Sequence, residues 1–179
     1  MAFDISNEKG TWRTLREDIP RIVQRVAHRM GADVYVLLDG WTLPHTPRPN
    51  DLDRLRGERR RFGAVRRRLE GISSGTEALV GASPSDKLRR LGDADAFVSR
   101  YGTGSMLASR ILELPGVVHH SGLGRYEEIH MQGPNVATMV GEPKHETVRE
   151  KEANNVPYDL DWERVTELLL NILEARRAG

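Results

Sequence analysis

Apolar residues along this chain fall into two kinds of run, and the two kinds alternate. Apolar-rich runs at residues 1–5, 34–38, 78–80, 96–98, 117–118 and 136–140 predict strands, and the continuous one at 34–38 is that of a strand covered on both faces. Between them, apolar positions three and four apart predict helices. Leu15, Ile19, Ile22, Val23, Val26, Ala27 and Met30 mark the first, with Gly31 as its stop. Thr14 and Glu17 resemble a capping box, but Pro20 would then lie deep inside, so the regular part is expected from about Asp18. Asn50 is the expected cap of a second helix reaching about Glu70, with Leu52, Leu55, Phe62, Val65 and Leu69 inward. Ser83-Pro84-Ser85-Asp86 opens a short third helix with Leu88 and Leu91 inward. Met106, Leu107, Ile111 and Leu114 share one side of a fourth. Asp161 caps the last, which turns Trp162, Val165, Leu168, Leu169, Ile172 and Leu173 inward. Residues 141–160 read as polar and irregular.

Strand and helix in strict alternation predict an α/β fold, a Rossmann-like parallel sheet of about six strands with helices on both faces. Right-handed crossovers in two βαβαβ halves give the strand order 3-2-1-4-5-6. Strands one and four are then neighbours, and the crevice between them is where ligands bind in such sheets. The loops at residues 7–13, 100–105 and 119–122 meet at that edge. Gly102 and Gly104 permit a sharp turn and close approach of a ligand to the backbone. The helix that follows offers free N–H groups to an anion. Lys9, Arg13 and Arg100 add positive charge, and Thr103, Ser105, His119 and His120 add polar groups. This rim suits a phosphate-bearing ligand better than an apolar one.

Composition narrows the reading further. The 179 residues suit one domain with a real core. With 27 lysines and arginines against 26 acidic residues, overall charge does not point to nucleic acid. Arg54, Arg56, Arg59, Arg60, Arg61, Arg66, Arg67 and Arg68 point several ways around the second helix, as a solvated face does. The absence of cysteine excludes disulfides and thiolate metal sites and is compatible with a reducing cytosol. No apolar stretch is long enough for a transmembrane segment, and the start lacks a signal-peptide pattern, so a cytoplasmic location is expected. A P-loop, a Gly-x-Ser-x-Gly elbow and a dinucleotide glycine motif after the first strand are all missing. His119, His120, His130 and His145 lack helical ligand spacing, so no metal site is expected. Asp93 and Asp95 precede strand four, which puts them at the edge opposite the ligand.

The segments FDISNEKGTWR, VYVLLDGWT, SPSDKLRRLGDADAFVSRYGTGSM and PGVVHHS together resemble the C-terminal, donor-binding half of GT-B glycosyltransferases, which have two Rossmann-like domains. The resemblance is to bacterial polysaccharide-assembly transferases and to O-linked and α1,6-fucosyltransferases. It implies that residues 1–179 bind a nucleotide sugar as substrate, with no cofactor and no metal. Lys9 and Arg13 would match the basic loop that holds the donor pyrophosphate, although Gly10 stands where related loops carry another base. Residues 93–105 would line the nucleotide, and Glu127 or Glu128 would take the ribose hydroxyls. The acceptor-binding domain of such enzymes has no counterpart in these residues. A homodimer or a separate acceptor-binding domain is therefore expected. The general base is unassigned, with His119 and His120 as weak candidates. Two function classes stay open: a hexosyl transferase, and a non-catalytic nucleotide-binding or regulatory module on the same fold.

Overall fold

In the computed structural model of the chain, residues 1–6, 12–143 and 156–178 are described. Six parallel strands, β1 (Ala2–Asp4), β2 (Tyr35–Asp39), β3 (Gly75–Ala78), β4 (Phe97–Arg100), β5 (Gly116–His120) and β6 (Val136–Val140), form one sheet. Their order is β3-β2-β1-β4-β5-β6, as the alternation predicts. Helices α1 (Leu15–Met30), α2 (Pro49–Leu69) and α5 (Trp162–Ala178) cover one face around Phe3, Ile5, Ile19, Leu38, Val117 and Leu169. Helices α3 (Pro84–Leu91) and α4 (Thr103–Met106) cover the other, around Leu37, Leu91, Phe97, Ala108 and Val118. Neighbouring residues of one strand thus point into two separate cores. The register aligns Asp4 with Asp39, and Arg100 with His119, so polar strand ends lie side by side.

Several local expectations shift, each for a packing reason. Helix α1 begins at Leu15 and carries Pro20 inside it, where Leu15, Ile19 and Pro20 are all buried on the sheet. Thr14 does not cap through its side chain; its Oγ1 instead accepts the Trp12 indole N–H at 3.1 Å. In α2 the cap is Arg48 rather than Asn50, and the Asp51 carboxylate accepts the Arg48 N–H at 2.8 Å. Leu52 lies exposed and Glu58 is buried, the reverse of the hydrophobic pattern. Strand β3 starts at Gly75, because Tyr35 to Leu38 of β2 pair with Gly75 to Ala78. After the glycine turn, α4 lasts four residues and passes into a π-helical turn, Leu107–Ile111, which leaves Ile111 61% exposed. Ser83 caps α3 and Asp161 caps α5 as expected.

The described ends of the segment at residues 141–160 are structured. Strands β7 (Glu142–Pro143) and β8 (Tyr158–Asp159) pair antiparallel, and Val156, Tyr158 and Leu160 are buried in the core of the α1 face. Arg13 N–H bonds to the Tyr158 carbonyl at 2.9 Å, so β8 also pins the chain leading into α1. Val156, Tyr158 and Leu160 fall two residues apart, the spacing of a half-buried strand, inside a stretch that is otherwise polar.

At Gly116 a Cβ would overlap the Phe97 carbonyl oxygen and ring, whereas at Gly57 in α2 it would meet nothing within 4 Å. Gly116→Ala is expected to cost about 1–3 kcal/mol by overpacking. Gly57→Ala is expected to be neutral or to stabilise by up to about 1 kcal/mol through helix propensity. Urea denaturation of both variants checks the β4–β5 packing, and a tolerated Gly116→Ala would contradict it.

Candidate functional site

The C-terminal ends of β1, β2 and β4 enclose a cavity of about 270 Å³. Its wall carries Asp4, Asp39, Lys87, Arg100 and the glycine turn at residues 102–104. Gly102 has φ 145, a conformation that side chains rarely adopt, and this turns the chain from β4 into α4. Thr103 and Gly104 stand in the first turn of α4, where backbone N–H groups have no partner within the helix. Ser105 is fully buried: its Oγ accepts the Gly102 N–H at 3.1 Å and lies 2.8 Å from the Gly102 carbonyl and 3.0 Å from that of His130. Its hydroxyl shapes the turn and is not on the cavity wall.

Of the two described cations on the cavity wall, Arg100 is the one without a described partner. Its guanidinium makes no hydrogen bond or ion pair with any described residue, and its Nε is buried without a partner. By contrast, Lys87 is 3% exposed and lies 2.6 Å from Asp39 Oδ1, and it also donates to the Gly40 carbonyl. Burial pushes the Asp39 carboxyl up, while Lys87 and the Gly40 N–H pull it back. Glu58, from α2, accepts the Trp41 N–H. The turn after β2 is thus clamped from α2 and from α3 by buried charges.

The predicted residues separate into groups. Arg100, Gly102, Thr103 and Gly104 come together on the cavity. Lys9 lies outside the described residues. Arg13 pairs with Asp159 at 3.3 Å and lines a different cavity with Arg16 and Arg61. Glu127 and Glu128 are exposed at a 3₁₀ turn, Glu128–His130, away from the cavity wall; the Glu127 N–H donates to Tyr101 Oη at 2.9 Å. Trp12 is 4% exposed, and its indole N–H donates to the buried Asp18 at 3.1 Å. Trp41 is half-buried on the cavity wall, with the Arg54 guanidinium over its ring at 4.8 Å. Among the α2 arginines Arg61 turns inward and donates to the Ile5 and Ser6 carbonyls, which holds the chain leaving β1.

His119 is packed between Trp12 and Tyr158, with Nδ1 2.8 Å from the Tyr158 hydroxyl and Nε2 buried without a described partner. Burial, followed by the charges of Arg100 and His120, lowers its pKa to about 3. A histidine held neutral in this way is a poor general base. His120 stacks on Tyr126 at 3.9 Å and accepts the Gly122 N–H at 3.0 Å; burial lowers its pKa as well.

No family model, curated protein or solved structure matches this chain. Its chemistry rests on its own side chains. Asp4, Ser6, Asp39, Glu58 and Lys87 escaped the sequence reading. Asp4 and Asp39 had a visible signal, a carboxylate ending an apolar strand, and Lys87 had another, a lysine four residues before the buried Leu91.

A larger cavity of about 630 Å³ lies at the opposite edge and contains Asp93 and Asp95, where the sequence placed them. Its arginines are already engaged: Arg90 with Glu77 at 2.7 Å, Arg176 with the Asp95 carbonyl and Arg177 with the Met30 carbonyl, both at 2.9 Å. Engaged charges and the N-terminal strand edge make it the weaker ligand site despite its size.

Two outcomes follow from the buried charges. Lys87→Met leaves Asp39 without its counter-charge and should cost about 3–5 kcal/mol, with Lys87→Met/Asp39→Asn recovering most of that loss in urea denaturation. A double variant as unstable as the single one would mean that the pair is not the cause. For His119, the unfolded ring protonates near its ordinary 6.5 while the folded ring stays neutral to about 3. Between these values the unfolded chain binds the extra proton, so stability falls as pH falls. His119→Phe should flatten that slope by up to about 1.4 kcal/mol per pH unit between pH 6.5 and 4; parallel slopes would refute it.

Proposed function

We propose that this chain binds a nucleotide-activated sugar through its diphosphate at the 102–105 turn, as the donor site of a glycosyltransferase. The observation that carries the reading is Arg100, an arginine without a partner among the described residues, beside a glycine turn at the switch point of a parallel sheet. A guanidinium fork and free helix N–H groups suit phosphate oxygens and can stabilise a leaving diphosphate without a metal. A cavity of about 270 Å³ lies near the lower limit of ligand pockets, so it takes the phosphate end and leaves the rest of the ligand in the open crevice.

Transfer also requires a base for the acceptor hydroxyl and a wall that excludes water. In this reading both come from a second copy of the chain or a separate acceptor-binding domain. A non-catalytic binding module is the second reading, and the low basicity of His119 favours it.

Nucleoside diphosphates at about 100 times Kd should stabilise the chain by about 2.7 kcal/mol, which raises Tm by roughly 5–10 °C. Nucleosides should do less. Arg100→Met should abolish the shift, and excess chelator should leave it intact. Equal shifts from diphosphate and nucleoside, or an undiminished shift in Arg100→Met, would remove the phosphate reading.

A further inference from the structure

The cavity holds charges of both signs, and they do not all cancel. Asp39 and Lys87 neutralise each other at 2.6 Å. Arg100 and Asp4 line the same cavity without forming an ion pair. Asp4 ends β1, in register with Asp39 on one side. Its Oδ1 accepts the Ser6 N–H at 2.8 Å. Its Oδ2 has only a long contact, 3.5 Å, with Ser99 Oγ, and that hydroxyl has a nearer acceptor in the Arg100 carbonyl at 3.1 Å. A carboxylate oxygen can accept two hydrogen bonds, so Oδ2 retains acceptor capacity beside the cavity.

A bare anion placed here meets Arg100 but is repelled by Asp4, and a bare cation meets the reverse. A ligand with an anionic end and a hydrogen-bond donor at the other satisfies both. The donor's chemistry is constrained by Lys87, which also lines the cavity. Lysine has three N–H donors, and two are directed to Asp39 Oδ1 and the Gly40 carbonyl. An ammonium on the ligand could donate to Asp4 but would offer no acceptor to the remaining Lys87 N–H. A hydroxyl can donate to Asp4 and accept from Lys87 at once.

We infer that the cavity binds the junction of a phosphate and a polyhydroxylated ring in one direction, with the phosphate at Arg100 and a ring hydroxyl at Asp4 and Lys87. This rests on the donor-site reading and adds that Asp4 is a specificity-determining binding residue. The sugar then lies over the ends of β1 and β2, with the remainder of the ligand leaving past the glycine turn.

Titration calorimetry with three probes tests it: α-D-glucose 1-phosphate, cyclohexyl phosphate of similar size without ring hydroxyls, and O-phosphoethanolamine. The wild-type chain should bind the sugar phosphate about tenfold or more tightly than cyclohexyl phosphate. Asp4→Asn, which keeps an oxygen for the Ser6 N–H, should reduce that preference to about twofold or less by weakening the sugar phosphate alone. Arg100→Met should weaken both probes alike. Equal affinities on the wild-type chain would overturn the inference without any variant, as would tighter binding of phosphoethanolamine or an unchanged preference in Asp4→Asn. If nucleoside diphosphate still binds through Arg100 in those cases, the donor-site reading survives. If neither it nor the sugar phosphate binds, both readings fall.

Discussion

A parallel sheet covered on both faces can place polar side chains cheaply only where its strands end. β1 shows the constraint in its strongest form. It is three residues long and lies between β2 and β4 in the middle of the sheet; Ala2 and Phe3 are buried on opposite faces. Its first polar side chain, Asp4, falls at the C-terminal end, beside Asp39 of β2 and next to Ser99 and Arg100 of β4. Chemistry gathers at this edge because the core leaves it nowhere else along these strands.

Buried charge then sets the shape of that edge. Removing Asp39, Lys87 and Glu58 from water is expensive, and close pairing with directed hydrogen bonds offsets the cost. Each of these groups bonds to backbone of the turn after β2, at Gly40 or Trp41. The clamp brings Trp41 to the cavity wall and keeps Asp39 and Lys87 engaged with each other. Arg100, left outside this network, remains available to an anion. On the other face, Trp12, His119 and Tyr158 fill the space under the end of β5, which explains why His119 serves packing more readily than proton transfer.

Size alone is a poor guide to the site. The larger cavity at the opposite edge is bordered by Glu77 and by arginines that already have partners. A ligand engaging those arginines must displace existing bonds, whereas Arg100 has no bond to a described residue to give up.

Periodicity by itself determined the alternation of the six sheet strands with helices, though not β7 and β8, and with the handedness of crossovers it determined the strand order, because apolar runs and helical spacing are local properties. The glycine turn and Arg100 were legible for the same reason: they follow directly on a strand. Tertiary structure decided which polar groups share a cavity. Lys87 shares a helix face with the buried Leu91, but only the approach of α3 to Asp39 supplies the partner for its charge. Tyr158 is embedded in a polar stretch, yet long-range pairing with Trp12 and His119 buries it. Arg13 and Arg100 look equivalent in sequence, but Asp159, far along the chain, engages one, while the other has no partner among the described residues. Charge pairing between distant segments is a property of the fold, and no local window of residues contains it.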